Sequence, residues 1–168
     1  GVNANDLKPY DTDHSPQTNI DPSKLAEAIL GHTEAIKPGD DTVSGGDGND
    51  QIYGGAGNDN LSGNADGDAL FGNADNDILS GGDGNDGLYG GAGNDTLNGG
   101  NDSDSLYADY DGLDTAANFN ILNGDAGNDQ LYGSEGRDTL NGGADDDYLF
   151  GGGNNDILNG NDGADYLR

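Results

Sequence analysis

The sequence predicts an all-β solenoid in which nine-residue units stack on one another, and three observations carry that prediction. First, Gly45 to Tyr107 reads as seven uninterrupted nonapeptides: GGDGNDQIY, GGAGNDNLS, GNADGDALF, GNADNDILS, GGDGNDGLY, GGAGNDTLN and GGNDSDSLY. Gly is invariant at position 1, Asp at position 6, and Leu or Ile at position 8, and a fixed short period of this kind marks repeated structural steps. Second, positions 1–6 are turn formers, whereas positions 7–9 alternate like a three-residue strand with only position 8 facing inward. Third, the chain is 30% hydrophobic with 33 Gly and a net charge of −28. So little apolar side chain cannot offset the entropy of ordering unless something neutralises the aspartates.

In chain order, residues 1–37 precede the repeats as a polar segment and a capping helix. Residues 1–20 have no period, and Asp6, Asp11, Asp13 and His14 read as solvated, because the chain's two His lack a ligand-spaced partner set. Asp21 is placed to cap a short helix over about 22–30, with Pro22 at its first position, Leu25, Ala28 and Ile29 on one face, and Gly31 as its stop. A solenoid end exposes strand edges and core side chains, so this helix is expected to lid the first coil. The solenoid spans 38–168. Residues 36–44 already match in their second half through Asp41 and Val43. The period breaks at ADYDGLD, an inserted loop at 108–114, and resumes with TAANFNILN, where Asn120 replaces Asp and Leu122 keeps the core position. Five regular units follow, from Gly124 to Arg168. Tyr107 and Tyr132 are 25 residues apart, two units plus the seven inserted, so the loop bulges from one coil and leaves the stacking phase intact. Position 4 is Gly, Asp or Asn in every regular unit, the residue types that tolerate a left-handed backbone.

These units resemble the G-G-x-G-x-D-x-U-x nonapeptides of RTX (repeats-in-toxin) proteins, and the resemblance covers residues 38–168. It implies a right-handed parallel β-roll, two short-stranded sheets facing across a thin core, with two units per coil. It also implies calcium, and the residues agree: a hard dication taking six to eight oxygens with tolerant geometry suits glycine loops and stacked carboxylates better than magnesium does. Alternate units share an edge. One edge carries Asp50, Asp68, Asp86, Asp104, Asp129, Asp147 and Asp165; the other carries Asp41, Asp59, Asp77, Asp95, the degenerate Asn120, Asp138 and Asp156. With one ion between successive loops, the first edge takes six and the second three plus one, about ten in all. The resemblance further implies carbonyl ligands from position 1 and positions 3 to 5, among them Gly45, Gly54, Gly63, Gly72, Gly81 and Gly90, and Gly48, Gly57, Gly84 and Gly93. Asp47, Asp83 and Asp162 at position 3 are candidates for added carboxylate ligands. Asp109, Asp111 and Asp114 read as a solvated loop in preference to a separate site.

Position 9 places Tyr53, Phe71, Tyr89, Tyr107, Tyr132 and Phe150 on one sheet, opposite Ser62, Ser80, Asn98, Asn123, Asn141 and Asn159. The outward rings are expected to stack on each other and shield the sheet; the competing reading is a docking face for a neighbouring domain or a ligand. Five Lys and Arg against 33 Asp and Glu make nucleic acid and anionic membranes poor partners. No apolar run approaches the roughly 20 residues of a membrane span, and no signal peptide is visible. Zero Cys excludes thiolate metal sites. There is no nucleophile–His–acid set, zinc triad or phosphate loop, so no catalysis is expected within these residues. By resemblance, the expected role is a calcium-folded module of a larger extracellular bacterial protein, similar to RTX adhesins or toxins exported by type I secretion, with neighbouring domains as its partners. The alternative is an accessory module of a secreted lipase, metalloprotease or polysaccharide epimerase. An ice-binding solenoid is disfavoured, since Thr42, Thr96 and Thr139 look scattered along the chain.

Overall fold

The computed structural model describes residues 39–110, 112–115 and 117–168; the expected N-terminal segment and capping helix lie outside them. Sheet A is parallel and seven-stranded: β1 (Thr42–Asp47), β3 (Asn60–Ala65), β5 (Ile78–Asp83), β7 (Thr96–Asn101), β9 (Ile121–Ala126), β11 (Thr139–Ala144) and β13 (Ile157–Asp162). Sheet B takes the alternate strands: β2 (Gln51–Ala56), β4 (Ala69–Ala74), β6 (Gly87–Ala92), β8 (Ser105–Tyr107), β10 (Gln130–Tyr132), β12 (Tyr148–Phe150) and β14 (Tyr166–Leu167). The chain thus crosses from one sheet to the other at every unit, and two units close one coil of a β-roll. Register advances by one coil, Val43 beside Leu61, and it survives the insertion, where Leu97 lies beside Leu122 and Leu106 beside Leu131.

Most strands are six residues long, twice the expected three. Positions 1–3 also pair from coil to coil, as Gly46 with Asn64 and Asp47 with Ala65, so the glycines extend the ladder before the chain turns. The left-handed backbone expected at position 4 is present at Gly48 (φ 101°), Asp66 (70°) and Asp75 (76°), and a second one occurs at position 2, as in Gly46 (112°) and Asn64 (84°). Among the regular units, only Ser134 at position 2 and Gly136 at position 4 depart from this pattern. Both belong to the unit that stacks on the degenerate one.

Position 8 builds the core as two facing columns. Leu61, Leu79, Leu97, Leu122 and Leu140 from sheet A meet Leu70, Leu88, Leu106, Leu131 and Leu149 from sheet B, all fully buried. Val43 and Leu158 are only partly buried, and Leu167 is 45% exposed.

The outer face of sheet B carries the expected ring ladder, with a shift. Tyr53, Phe71, Tyr89, Tyr107 and Tyr132 stack face to face at centroid separations of 4.7 to 5.2 Å, the spacing of the strands beneath them. Ala69, Gly87 and Ser105 at position 7 leave the middle rings room, and a Cβ on Gly87 would lie 3.2 Å from the Tyr89 ring. Where position 7 becomes Tyr, the ladder steps across to it, from Tyr132 to Tyr148 and on to Tyr166. Phe150, expected within the ladder, instead faces the Arg168 guanidinium at 5.5 Å. On sheet A, Thr42, Thr96 and Thr139 are aligned in one rank at position 7, interleaved with Asn60, Ile78, Ile121 and Ile157. They are ordered in space though scattered in sequence, but they are not a continuous threonine array.

Because each coil contributes only two core side chains, truncating one costs heavily. In the folded, calcium-loaded chain Leu88→Ala is expected to lose about 2–5 kcal/mol and Tyr53→Ala about 1 kcal/mol. Equilibrium denaturation measures both; equal losses would show that the ladder holds the sheets as strongly as the leucine column does.

Candidate metal centre

Away from the ends of the two rows, the position 6 aspartates are buried in the turns between the sheets, despite their charge. Asp77, Asp95, Asp104, Asp129 and Asp138 are each 1% exposed. Each carboxylate reaches back one coil: its Oδ1 accepts from the backbone N–H of the preceding aspartate on the same edge. The series runs Asp50 to Asp68, Asp68 to Asp86, Asp86 to Asp104, Asp104 to Asp129 and Asp129 to Asp147 at 2.7 to 2.9 Å. The second edge repeats it from Asp59 to Asp77 and Asp77 to Asp95 at 2.7 to 2.8 Å.

The other carboxylate oxygen is left over. Oδ2 of Asp68, Asp77, Asp86, Asp95, Asp104, Asp129 and Asp147 is buried with no hydrogen-bond partner. Each points to the place where the position 1 residue of its own unit would carry a Cβ, and the position 1 carbonyl of the next coil points there too. For Gly81 these neighbours are the Asp86 carboxylate and the Gly99 carbonyl, the latter 2.7 Å from an ideal Cβ; for Gly99 they are the Asp104 carboxylate and the Gly124 carbonyl at 2.8 Å. Position 1 is therefore Gly because the space belongs to converging oxygens.

A buried acceptor without a donor is costly, and the acids respond accordingly. Loss of solvent raises the carboxyls of Asp77, Asp95 and Asp104 to about 7 and those of Asp86 and Asp129 to about 6; backbone hydrogen bonds oppose the shift, and neighbouring carboxylates add to it. The repeating unit is thus an oxygen-only cradle whose ionised form needs a neutralising cation. Among the described residues no three His, Cys, Asp or Glu side chains converge as a metal cluster, so an ion here must draw most of its shell from carbonyls. Calcium accepts that donor set and tolerates irregular geometry.

The RTX calcium-binding nonapeptide repeat family matches residues 37–70, 62–97, 71–106, 114–149 and 132–167, together most of the solenoid. The chain belongs to this family. No curated protein and no solved structure matches it.

In this RTX roll Asp59 is one of the buried acids at 2% exposed, and Asp41, Asp50, Asp156 and Asp165 occupy the corresponding turns half-buried, nearer the ends of the two rows. Position 1 glycines Gly45, Gly54, Gly63, Gly72, Gly81 and Gly90 line the cradles. Gly48, Gly57, Gly84 and Gly93 sit at the turn apices with positive φ. Asp47, Asp83 and Asp162 are exposed at strand ends, outside the buried rows, and Asp83 accepts from the Asn101 amide at 2.7 Å. Two features escaped the sequence reading. Asp66 and Asp75 at position 4 accept from Gly48 and Gly57 one coil earlier, both at 3.1 Å. Asp114, expected in a solvated loop, is 7% exposed and is bound to the turns around it. Ala108, the first residue of the insertion, follows Tyr107 in the place that a position 1 Gly takes in the regular units, and its carbonyl accepts from the Gly91 N–H at 2.9 Å, next to the unit that lacks its Asp.

Two outcomes follow for the RTX sites. Gly81→Ala places a methyl group in the cradle and is expected to cost about 1–3 kcal/mol of calcium-loaded stability; a calcium titration followed by circular dichroism reads it as a raised midpoint. For pH, the folded carboxyls lie above the ordinary value of 3.8, so the metal-free roll holds more protons than the unfolded chain. That stabilisation is full below about 4 and is lost as pH rises through 6 to 7. The calcium-free chain should therefore show more β-structure at pH 4.5 than at pH 7.5, while calcium, which competes with those protons, should bind more weakly at pH 5.5 than at pH 7.5. Calcium affinity independent of pH would contradict the burial of these acids.

Proposed function

We propose that this RTX roll is a calcium-dependent folding module of a larger secreted or cell-surface bacterial protein, of the adhesin or toxin kind. The observation that supports it is the row of buried carboxylate oxygens with no donor, repeated along both edges. At low calcium the ionised acids oppose folding, and the chain remains extended and suited to export in an unfolded state, as in type I secretion. At millimolar calcium outside the cell, ions enter between successive turns, and binding energy becomes folding energy. About ten ions complete the roll. The module's partners in this reading are the other domains of the parent chain, and its role is structural, not catalytic. Among the described residues no helix is long and apolar enough to cross a membrane.

The test is the far-ultraviolet spectrum of the purified chain. At pH 7.5 in chelator it should be that of a largely unfolded polypeptide; millimolar calcium should produce β-structure, and millimolar magnesium should not. Identical spectra with and without calcium would sink the reading.

A further inference from the structure

The second edge contains one level at which the cradle is already filled by protein. Where every neighbouring turn has Asp, this one has Asn120, 1% exposed. Its Oδ1 keeps the ladder by accepting from the Asp95 N–H at 2.8 Å, and its own N–H donates to Asp138 Oδ1 at 2.9 Å. Its Nδ2 stands where other levels have the orphaned oxygen. That amide donates to Asp114 Oδ2 at 2.8 Å and to Ser134 Oγ at 3.3 Å. Asp114 Oδ1 accepts from Gly93 N–H at 3.1 Å, the bond that a position 4 aspartate makes elsewhere on this edge, as Asp75 does with Gly57. On the next coil, Asp138 Oδ2 accepts from the Ser134 N–H at 2.6 Å and from its hydroxyl at 3.1 Å. Both Asn120 and Asp138 therefore lack the bare oxygen that marks the other levels.

The surroundings are rebuilt to match. Ser134 and Gly136 have abandoned the positive φ of their positions, which turns the Ser134 N–H toward Asp138. Ala108 is fully buried at position 1, where no aspartate of its own unit competes for the space of its Cβ. Arg137, the one Lys or Arg between Lys37 and Arg168, lies at this level with its guanidinium 4.3 Å from the Phe119 ring. Tyr110 anchors the start of the loop, with its hydroxyl donating to Asn73 at 2.7 Å and its ring edge-on to Phe71 and Tyr89.

We propose that the insertion is a metal-free latch: Asp114, Asn120, Ser134 and Asp138 close this level by hydrogen bonds in place of an ion, so the second edge loads calcium as two separate rows and this coil holds its structure when calcium is scarce. The latch rests on the calcium reading for what happens at the other levels, but its own bonds require no ion. It turns an apparent defect in the repeat into a fixed joint between a longer N-terminal row and a short C-terminal one.

The experiment compares wild type, Asp114→Ala and Asn120→Asp in two measurements. Native mass spectrometry in saturating calcium counts bound ions. Amide exchange at limiting calcium reads protection of Asn120, Ser134 and Asp138. Asp114→Ala should leave the ion count unchanged and speed exchange at those amides by about tenfold or more, the loss expected for a hydrogen bond to a charged group. Asn120→Asp should bind one additional ion and lose the same protection at limiting calcium. If Asp114→Ala removes an ion, Asp114 is a ligand and the latch is overturned; unchanged exchange overturns it as well. Should Asp114→Ala fail to fold even in saturating calcium, Ser134→Ala serves in its place, with the same expected count and the same loss of protection at Asp138. A wild type that binds no calcium would sink the calcium reading, and the exchange rates in Asp114→Ala would still decide the latch.

Discussion

Stacked carboxylates govern this molecule. Each edge sets one aspartate directly over another at the strand spacing of about 4.8 Å, and each is bonded through Oδ1 to the coil before it. At an effective dielectric constant near 20, two ionised neighbours at that distance repel by about 3 kcal/mol, and the interaction recurs at every level. The same backbone bonds that set the aspartates in register therefore also bring their charges together. A protein with only two core leucines per coil has little to set against that cost, and a proton or a cation relieves it. The elevated carboxyls of Asp77, Asp95 and Asp104 express that condition within the metal-free chain.

The glycines follow from the aspartates. Position 1 cannot carry a side chain because the carboxylate of its own unit and a carbonyl of the next coil already point there. Positions 2 and 4 need a left-handed backbone so that the chain can leave the sheet and bring position 6 back inward. Ala108 shows the dependence from the other side. Where the following turn has lost its aspartate, a methyl group fits at position 1 and is fully buried. Glycine content that reads as disorder in a composition is here the steric complement of an acid ladder.

Much of this was legible in the sequence, since a nine-residue period with Leu at position 8 and Asp at position 6 dictates the coils, the two edges and the core columns. What escaped was what depends on contacts between coils. Strand length was underestimated because pairing through the glycines leaves no mark in hydrophobic alternation. The step of the ring ladder to Tyr148 depends on which of two outward positions has space, and Ala69, Gly87 and Ser105 supply it only in the earlier coils. The sequence places Asp114 in a solvated loop because an insertion has no period to locate it; its burial comes from a loop that folds back onto Gly93 and Asn120.

The insertion also separates what the sheets require from what the edges require. Strand register passes through it unchanged, Leu97 to Leu122 and Leu106 to Leu131, and the ring stack continues from Tyr107 to Tyr132 at 4.8 Å. The turn between those coils has meanwhile exchanged its aspartate, its position 1 glycine and its left-handed residues for a different set of bonds. The sheets therefore demand only that a turn return the chain in phase, with its inward polar atoms satisfied. An ion between ionised acids meets that demand with one aspartate and two glycines per unit; a protein latch needs seven additional residues and a buried serine. The short repeat is thus the economical solution where calcium is present, and in this chain the longer loop is what lets one turn close by hydrogen bonds instead.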